Sequence, residues 1–480
     1  MIPFNPPDPE LVQAVVAAGK DERAQQRLSY QVTLITPMLG GGTQARQQDQ
    51  HMPFRSKAIK GHLRWWWRLL ARHGDLDEVA GRKLSELDDQ ALRYEERVLW
   101  GLFGMDGTPI LSAVRVEVGD VVATSESFKP YQVRGGDNKW IRNDQVPGPG
   151  YAMFPAQRGE TGSPPQSLLT QGAFKLHLQV ADSVQRGIVA EVVRHWATFG
   201  GVGARTRRGL GAVSVHRLDT PGNAPLCALG ANQSAHPHAL RWAVRDGTGP
   251  GFACATEAWS FAVEALRTFR QGVDVGRNEA TGFLKRWVNR ELVEDKKTGG
   301  RSRWPEPDTI RHQANVWFAE QGEPKHSHPP IHPAVGYAPR AAFGLPITER
   351  FRGDQSGDRH DANGRDPIAR TLNYPGADRM ASPLILRPVA KMVNGQVKYI
   401  AFAALIRRDG NNPWPAAVTV SPQIGKLNQI PTWNPAWNPS ALGANFRSGI
   451  GPLDSPLCAG PVFSMPSNAV EAFLNYFHNQ

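Results

Sequence analysis

The chain has 480 residues, with 55 Lys and Arg against 44 Asp and Glu, a formal charge of +11 and a sequence pI of about 9.7. This length is typical of two or more domains, and 40% hydrophobic with 21% charged residues argues against a chain that is disordered throughout. The basic excess favours polyanionic partners, because each Lys or Arg that contacts a phosphate releases a condensed counterion. Three cysteines without a C-x-x-C pair exclude a zinc knuckle or ribbon and indicate a reduced, intracellular protein.

The N-terminal segment predicts an arm and no targeting signal. "MIPFNPPDPELVQ" lacks a charged region followed by an apolar run, and no stretch of the chain reaches the roughly 18 apolar residues that a membrane span needs. We therefore expect a cytoplasmic protein without membrane contact. Residues 1–26 are predicted to form an arm, with a short helix in "PELVQAVVAAGKDERAQQR".

The first half of the chain predicts one ferredoxin-like domain over residues 27–220. Alternation of apolar and polar residues predicts strands in "LSYQVTLITPML", "SAVRVEVGDVVA", "GAFKLHLQVAD" and "AVSVHRL". Helical spacing predicts helices in "FRSKAIKGHLRWWWRLLAR", "ALRYEERVLWGLFG" and "RGIVAEVVRHWATF". The order is β-α-(α)-β-β-α-β, an α+β plan with a four-stranded antiparallel sheet that has helices on one face only. Residues 124–171, rich in Gly, Pro, Lys and Asp, are predicted to be a long insertion.

The second half, residues 221–480, is predicted to be a degenerate second domain of the same fold. Helices are expected in "TEAWSFAVEALRTFRQG", "TGFLKRWVNRELV" and "AVEAFLNYF". A hairpin is expected in "ASPLILRPVAKMVNGQVKYIAFAALI", because Asn394-Gly395 is the dipeptide that a type I′ turn prefers. Residues 410–462, rich in Pro, Asn and Trp, are predicted to be irregular coil within a C-terminal extension.

The helix "FRSKAIKGHLRWWWRLLAR" carries six basic side chains, no acid and three consecutive tryptophans. At about 100° per residue, Lys57 joins Lys60, Arg64, Arg68 and Arg72 on one face. The opposite face holds Ile59, Leu63, Trp66 and Leu70 as the predicted core stripe, with Trp65 and Trp67 at the two borders. Because no acid occurs within the helix, the row is predicted to be unpaired and to follow a phosphate backbone, with an indole N–H available to a partner. A solvated face with Arg stems packed on Trp is the alternative.

A glycine-rich loop is predicted in "FGGVGARTRRGLGAV", residues 199–213, between a helix and a strand. Its glycines would let successive N–H groups form an anion nest, and Arg205, Arg207 and Arg208 would supply guanidinium groups for phosphate. The loop lacks the P-loop pattern, and it precedes a strand where a dinucleotide fingerprint would open a helix. A flexible exposed turn is the alternative. We expect this loop and the basic helix to meet across the open surface of the sheet.

Several of these stretches resemble the RAMP superfamily of CRISPR systems. The resemblance is carried by "TPMLGGG", "FRSKAIKGHLRWWWR" and "FGGVGARTRRGLGAV", and further by "RSRWPEPDTIR", "RAAFGLPI" and "RMASPLILRP", spread over about residues 28–390. Within the superfamily, the tryptophan-rich helix is similar to that of the first-numbered subunit of type III-B Cmr effector complexes. The long 124–171 insertion and the Trp/Pro/Asn-rich tail depart from that pattern.

The resemblance implies two ferredoxin-like RAMP domains and a place in an antiviral ribonucleoprotein. It implies a non-catalytic RNA-binding subunit that contacts the 3′ region of the guide RNA, helps capture target RNA and docks on other RAMP subunits. By position, the implied RNA contacts are Lys57, Lys60, Arg64, Arg68, Arg205, Arg207 and Arg208, with Arg46 as a weaker addition. Trp65 and Trp67 would flank them. No cofactor is implied.

Two other functions remain open from the sequence. A RAMP-type endoribonuclease would use His or Lys for proton transfer, for which His51, His62 and His195 are candidates, or an aspartate on a protruding loop, for which Asp137 and Asp144 are candidates. Capping, packing and solvated turns explain the same residues. A structural adaptor would use the tryptophans as protein–protein anchors. His326, His328 and His332 in "KHSHPPIHP" could gather a metal, but no carboxylate or thiol accompanies them in that segment, and no metal site is predicted.

Overall fold

The structure, a computed structural model, describes most of the chain and leaves gaps between the described segments. The described residues are 26–42, 49, 51–103, 109–124, 130–133, 140–142, 148–156, 168–222, 224–229, 238–245, 251–272, 275–277, 284–288, 291–295, 302, 304–320, 337–349, 369–408, 414–424, 427–431, 462–464, 466 and 468–480. The predicted helix within residues 1–26 lies outside them. Among the described helices, none is long and apolar enough to cross a membrane.

The chain divides into two compact units, and both draw on separated stretches of sequence. The first comprises Met1–Ala239, Gly249–Trp259 and Arg387–Ala401, and the second comprises Leu240–Thr248, Ser260–Leu386 and Phe402–Gln480. The stretch Arg387–Ala401 therefore belongs to the first unit although it follows most of the second in sequence.

The first unit is built on four long strands and three long helices. In chain order the elements are β1 Arg27–Leu34, β2 Met38–Leu39, α1 Ser56–His73, α2 Asp77–Ala80, α3 Asp89–Trp100, β3 Leu102–Phe103, β4 Pro109–Ile110, β5 Val114–Ala123, β6 Tyr131–Val133, β7 Trp140–Arg142, α4 Gly150–Met153, β8 Leu168–Leu169, β9 Gly172–Val180, α5 Ser183–Phe199 and β10 Val213–Arg217. Short 3-10 turns cover Leu84–Glu86, Phe154–Ala156 and Thr206–Arg208. The predicted β-α-(α)-β-β-α-β order is therefore confirmed.

The four long strands pair in the order β10-β1-β9-β5, with antiparallel neighbours throughout. Numbered by their place in the motif, this is the order 4-1-3-2 of the ferredoxin-like split βαβ plan. Alternation sets the two faces: Leu28, Tyr30, Val32 and Leu34 of β1 point into the core, and the residues between them point outward. Within the described residues the insertion contributes the β6–β7 pair, α4 and β8, which pairs with β2.

The second unit contains further sheets and helices. Its elements include β11 Leu240–Val244, α6 Ala255–Gln271, β12 Leu284–Val288, β13 Glu291–Asp295, α7 Glu306–Glu320, a 3-10 turn Pro339–Phe343, β14 Ile347–Glu349, β15 Arg370–Asn373, β16 Leu384–Val393, β17 Gln396–Ile406, β18 Ala417–Ile424, β19 Leu427–Pro431 and α8 Ala469–His478. Of these, α6, β16 and β17 also contribute residues to the first unit. The strands pair as β11-β17-β16, β12-β13 and β14-β15-β18-β19.

The β11-β17-β16 sheet supports the prediction of a degenerate copy of the first fold. Leaving aside β12–β15 and α7, which follow α6, and β18–β19, which follow β17, the order is β11, α6, β16, β17, α8. The sheet order then corresponds to strands 1-3-2 of the same motif, without a fourth described strand. The predicted hairpin is confirmed: Asn394 and Gly395 have φ of 50° and 76°, as a type I′ turn requires. The predicted helices at α6 and α8 are confirmed as well.

Two predictions for the second half are wrong. "TGFLKRWVNRELV", predicted as a helix, contains the antiparallel pair β12–β13, in which Leu284 lies opposite Asp295. A short apolar run of this kind fits both periods, and periodicity alone cannot separate them. The stretch 410–462, predicted as coil, contains β18 and β19, while residues 432–461 lie outside the described part. Val418 and Ile430 explain the difference, because both are buried in one apolar cluster.

Candidate nucleic-acid interface

Helix α1 is positioned by the apolar face that the sequence predicted. Ile59, Leu63, Trp66 and Leu70 are all buried, and each such side chain contributes about 1.5–3 kcal/mol on transfer from water. The helix ends at Gly74, whose φ of 83° provides the left-handed C-cap. The helix has no acidic residue in its first turn and has Arg72 and His73 in its last. Its cations lie on the face opposite the apolar one.

The predicted unpaired cation row is wrong for its arginines. Arg64 Nε donates to Glu96, and Arg68 donates to both oxygens of the same carboxylate, at 2.9 Å from Nε and 2.5 Å from Nη2. Arg72 pairs with Asp89 at 2.9 Å. The acids come from α3, the next long helix along the chain, so a search within the basic helix could not find them. Burial raises the pKa of Glu96, but the hydrogen bonds from Arg68 and Arg64 outweigh it and hold that pKa below its usual value.

The two lysines of the row have no carboxylate partner among the described residues. Lys57 is exposed. Lys60 donates from Nζ to Ser112 Oγ at 2.8 Å. Burial, and then the charge of Arg64, lowers the pKa of Lys60. Among the described residues, Glu96 is thus the one carboxylate paired with the four cations Lys57, Lys60, Arg64 and Arg68, and it binds only the two arginines, so this surface keeps a net positive charge.

The three tryptophans have three different environments. Trp66 is buried, as predicted, and its ring lies 6.0 Å from that of Phe199 at the end of α5. Trp65 is half-buried at the border, also as predicted. Trp67 contradicts the prediction: it is only 2% exposed, and its indole N–H has no partner in the described part of the chain. Because it is buried, Trp67 cannot flank a ligand at the surface.

The glycine-rich loop is tightly held by the segment that follows β1. Its backbone N–H groups at Ala204 and Gly211 donate to the carbonyls of Leu39 and Pro37, both at 2.8 Å. The Thr36 hydroxyl donates to the carbonyl of Gly209 at 2.6 Å and accepts from the N–H of Ala212. The predicted anion nest is therefore wrong at Ala204 and Gly211, whose donors are already used, and a flexible turn is excluded.

Three buried side chains hold the loop from within the first unit. The Trp196 indole donates to the carbonyl of Gly201 at 3.2 Å, and that of Trp259 donates to Arg208 at 2.7 Å. Arg387, with 0% exposure, donates to the carbonyls of Gly200 and Val213, which are the two ends of the loop. Burial lowers the pKa of Arg387 to about 9, which still leaves it protonated at neutral pH. Glycine is needed at 211, because φ is 64° and a Cβ would lie 1.9 Å from the carbonyl of Val202.

The loop and helix α1 meet through one cation–π contact. The Arg207 guanidinium carbon lies 5.4 Å from the centre of the Trp65 ring, within the range of a favourable contact. Arg205 is exposed and has a left-handed φ of 59°, which is uncommon for a side chain of this size. Arg208 is half-buried and donates to the carbonyl of Arg207 at 3.3 Å. The predicted meeting of the two elements is therefore confirmed.

Their location differs from the prediction, however. The elements meet on the helical side of the sheet, because the core stripe of α1 faces inward and its cations face away. The outward face of the sheet carries Ser29, Lys175 and His177, and Ser29 Oγ lies 2.9 Å from His177 Nδ1. The cations of that face have carboxylate partners, since Glu117 pairs with Arg27 and Arg115, and Asp120 pairs with Lys175. The positive charge of the interface lies on the helices and the loop.

The other predicted residues do not gather into a reactive site among the described residues. His195 is buried and its Nδ1 lies 3.0 Å from the carbonyl oxygen of Glu191, one turn earlier in α5. Burial lowers the pKa of His62, which lies off the cation row. His51 is exposed beside Asp49, whose carboxylate accepts from its N–H. No group of three His, Cys, Asp or Glu residues suited to a metal is present in the described segments. Arg46, Asp137, Asp144, His326, His328 and His332 lie outside the described residues.

Sequence reasoning missed the residues that position this interface. Glu96 lies in a helix that was predicted, but nothing local signals that its carboxylate reaches α1. Arg387 and Trp259 act on the loop from 174 and 51 residues away, respectively. Thr36 lies within the "TPMLGGG" motif, but nothing in the sequence indicates that its hydroxyl bonds the glycine-rich loop. Apolar runs that contain a single polar residue, such as "PLILRPVA" around Arg387, were the one available signal.

Comparison with known proteins gives a family match for the first part of the chain. Residues 31–214 match the sequence model of the RAMP superfamily, which confirms the expected resemblance there. No curated protein matches the sequence. Among solved structures, the chain is similar to Cmr1 from Pyrococcus furiosus in its apo form, at 15% identity and a TM-score of 0.32, over 82% of this chain and 94% of that one.

Two further solved structures are similar over a smaller share of the chain. A chain of a type IV-B CRISPR complex matches at 12% identity and a TM-score of 0.27, over 41% of this chain and 92% of that one. A chain of the type III-B Cmr-beta complex bound to cognate target RNA matches at 11% identity and a TM-score of 0.22, over 44% of this chain and 67% of that one.

Proposed function

We propose, on the premise that residues 31–214 match the RAMP superfamily, that this protein is an RNA-binding subunit of a type III-B CRISPR (Cmr) effector ribonucleoprotein. In this proposal it contacts the 3′ region of the guide RNA and helps capture target RNA in the cytoplasm, beside other RAMP subunits. The proposed RAMP domains span residues 27–220 and 221–480, the first of them with the insertion 124–171.

One observation carries the RNA-binding proposal: Arg207 of the rigid loop lies over the half-buried ring of Trp65 on the basic helix. The contact brings two separate groups of cations together around an aromatic ring. A phosphate backbone is bound by such cations, and a base can stack on such a ring. Because the loop is pinned by backbone hydrogen bonds, little conformational entropy is lost when its arginines meet a ligand.

The carboxylate of Glu96 reduces the charge of this surface and also orders it. Arg68 approaches Glu96 in a two-bond geometry, and its side chain remains 45% exposed. A guanidinium held in place can still use its other N–H groups toward a phosphate. The proposed contacts are Lys57, Lys60, Arg64, Arg68, Arg205, Arg207 and Arg208, with Trp65 beside them; Arg46 remains a proposal outside the described residues.

A non-catalytic role is part of the proposal. The His195 ring lies within bonding distance of the Glu191 carbonyl, and His62 lies off the cation row. The Lys60 amine donates to the Ser112 hydroxyl. No described contact favours an endoribonuclease over a binder. A purely structural adaptor, which would use the tryptophans as anchors, fits less well at this helix, because Trp66 and Trp67 are both buried inside the first unit.

The direct test replaces Lys60, Arg64 and Arg68 by Ala and measures binding of single-stranded RNA by fluorescence anisotropy over a series of salt concentrations. We expect weaker binding for RNA of any sequence and a salt slope that falls by about 0.7 for each lost phosphate contact. Circular dichroism and urea unfolding check that the variant remains folded.

Unchanged affinity and slope in the folded triple variant would contradict the proposed interface. The control variant replaces the single cation Arg82, which pairs with Glu95 on the surface, and should bind RNA as the parent protein does. Incubation with guide precursor and with target RNA, with and without divalent metal, tests the non-catalytic role, and site-specific cuts would refute it.

A further inference from the structure

Helix α3 carries two arginines beside the carboxylate that orders the basic helix. Arg93 is exposed and Arg97 is half-buried. At about 100° per residue, Arg93 lies roughly 60° around the helix from Glu96, and Arg97 lies about 40° farther on. Since Glu96 faces α1, Arg93 lies at the border of the surface turned toward Arg64 and Arg68, and Arg97 lies next to it.

The direction of the two helices brings their charged residues into register. Arg72 pairs with Asp89, whereas Arg64 and Arg68 pair with Glu96. The later residues of α1 thus meet the earlier residues of α3, and the helices run antiparallel. Arg93 therefore lies at the level between Asp89 and Glu96, which is the stretch of α3 that pairs with α1.

The acids around α3 are all engaged elsewhere. Asp88 caps the helix by accepting from the N–H of Ala91, and Asp89 accepts from Arg72. Glu95 binds Arg82 through both oxygens, and Glu96 binds Arg64 and Arg68. Within the described residues, Arg93 and Arg97 have no salt-bridge partner. Like charges four residues apart in a helix repel each other, and a bound anion would relieve that repulsion.

A simpler explanation exists for each arginine separately. Arg97 lies in the last turn of α3, where a cation is favoured by the helix dipole, and exposed arginines are often only solvated. Neither explanation accounts for two arginines without a carboxylate partner among the described residues on the helix whose Glu96 already binds Arg64 and Arg68.

We propose that Arg93 and Arg97 form the outer edge of a polyanion path that crosses α1 from α3 to the glycine-rich loop. The ligand is the phosphate backbone of single-stranded RNA, which meets the α3 arginines, then Arg64 and Arg68, then Trp65 and Arg207. The strand thus runs across the axis of α1, and does not follow its cations lengthwise. This inference rests on the proposed function and adds contacts and a direction to it.

The test compares two double variants that each remove two positive charges from the first unit. R93A/R97A removes the proposed contacts. R27A/R115A is the matched control, because both arginines lie on the outward face of the sheet and share Glu117. Binding of a single-stranded RNA of mixed sequence is measured by anisotropy over a salt series, next to the K60A/R64A/R68A variant. We expect R93A/R97A to weaken binding about tenfold at low salt and to lower the salt slope by about 1–1.5.

Each outcome decides a different claim. Wild-type binding by R93A/R97A together with weak binding by the α1 triple variant would overturn this inference and leave the proposed function standing. Wild-type binding by both would overturn both. An equal loss in R27A/R115A would show that only net charge matters and would also overturn the path.

Two further variants keep the test decisive. If R93A/R97A fails to fold, R93Q/R97Q keeps the length and polarity of both side chains, and the same loss of affinity is expected. R93K/R97K keeps both charges and should retain most of the affinity and the slope, because a phosphate accepts a lysine as a point charge. Loss of binding in the lysine variant equal to that in the alanine variant would contradict a phosphate contact. An acidic protein partner in place of RNA would leave RNA binding by the pure chain unchanged in R93A/R97A, which also overturns the inference.

Discussion

At the scale of single residues, Glu96 determines how the basic helix is arranged. Its side chain is 3% exposed and accepts from two arginines that remain 26% and 45% exposed. The pair is therefore intermediate between a surface salt bridge and a buried one. Removing the carboxylate leaves two partly buried guanidinium groups without their acceptor, so the expected cost is larger than for an exposed pair.

We predict that E96A lowers the free energy of unfolding by about 1–3 kcal/mol at neutral pH. E95A removes the neighbouring carboxylate, whose partner Arg82 is 54% exposed, and should cost under about 1 kcal/mol. Urea unfolding followed by tryptophan fluorescence measures both. Equal losses of unfolding free energy in E96A and E95A would show that burial of Glu96 does not strengthen its pairing with the arginines.

The Glu96 carboxylate should also make the difference in unfolding free energy between the parent protein and E96A depend on pH. Because the pKa of Glu96 is lowered in the folded state, its stabilising contribution is present above the ordinary glutamate value of 4.5 and disappears as the pH falls through the lowered value. The gap between the parent protein and E96A should therefore shrink in acid. A gap that grows as the pH falls would have the wrong sign.

At the scale of elements, the first sheet and its helices could be predicted because their patterns are local. Strands β1 and β9 alternate strictly, and α1 has one apolar stripe, so period and burial agree. The β12–β13 pair was missed because a run of five residues fits either period. Ion pairs between elements were not predictable, because Arg64 and Glu96 are 32 residues apart and no local rule joins them.

Helix α1 contains a glycine at a position where neither the backbone conformation nor the surrounding space requires glycine. Gly61 lies inside the helix, is exposed, and has no atom within 4 Å of where a Cβ would be. We predict that G61A raises the free energy of unfolding by about 0.5–1 kcal/mol, because alanine loses less backbone entropy in a helix. Gly81 is the matched control: it is equally open, but its φ of 63° makes G81A destabilising. Chemical unfolding of both variants should give opposite signs, and a common sign would contradict this account.

At the scale of the whole molecule, the first unit is completed by residues far along the chain. Arg387–Ala401 belongs to it, and Arg387 joins both ends of the basic loop. In the sequence, "RMASPLILRP" is identified only by its resemblance to the RAMP superfamily. Its structural role comes from Arg387, which contacts Val213 and Gly200 across 174 and 187 residues of sequence. Periodicity predicts the hairpin around Asn394-Gly395. It does not predict that Arg387, in the first strand of that hairpin, supports the glycine-rich loop.

We predict that R387M lowers the free energy of unfolding by about 3 kcal/mol or more, because buried carbonyls at Gly200 and Val213 lose their donor. R115M is the control, since Arg115 is 74% exposed and its loss should cost under about 0.5 kcal/mol. Hydrogen exchange on residues 200–213 should increase in R387M and remain unchanged in R115M. Normal protection of the loop in R387M would show that Arg387 does not hold it.

The position of Arg387 also has a consequence for biosynthesis. After Gly200 has been added to the nascent chain, 187 more residues must be added before the side chain that bonds its carbonyl exists. At about 5–20 residues per second, the interval is roughly 10–40 s. Until then the two ends of the glycine-rich loop lack the donor that Arg387 supplies, so the loop reaches its complete set of hydrogen bonds only late in synthesis.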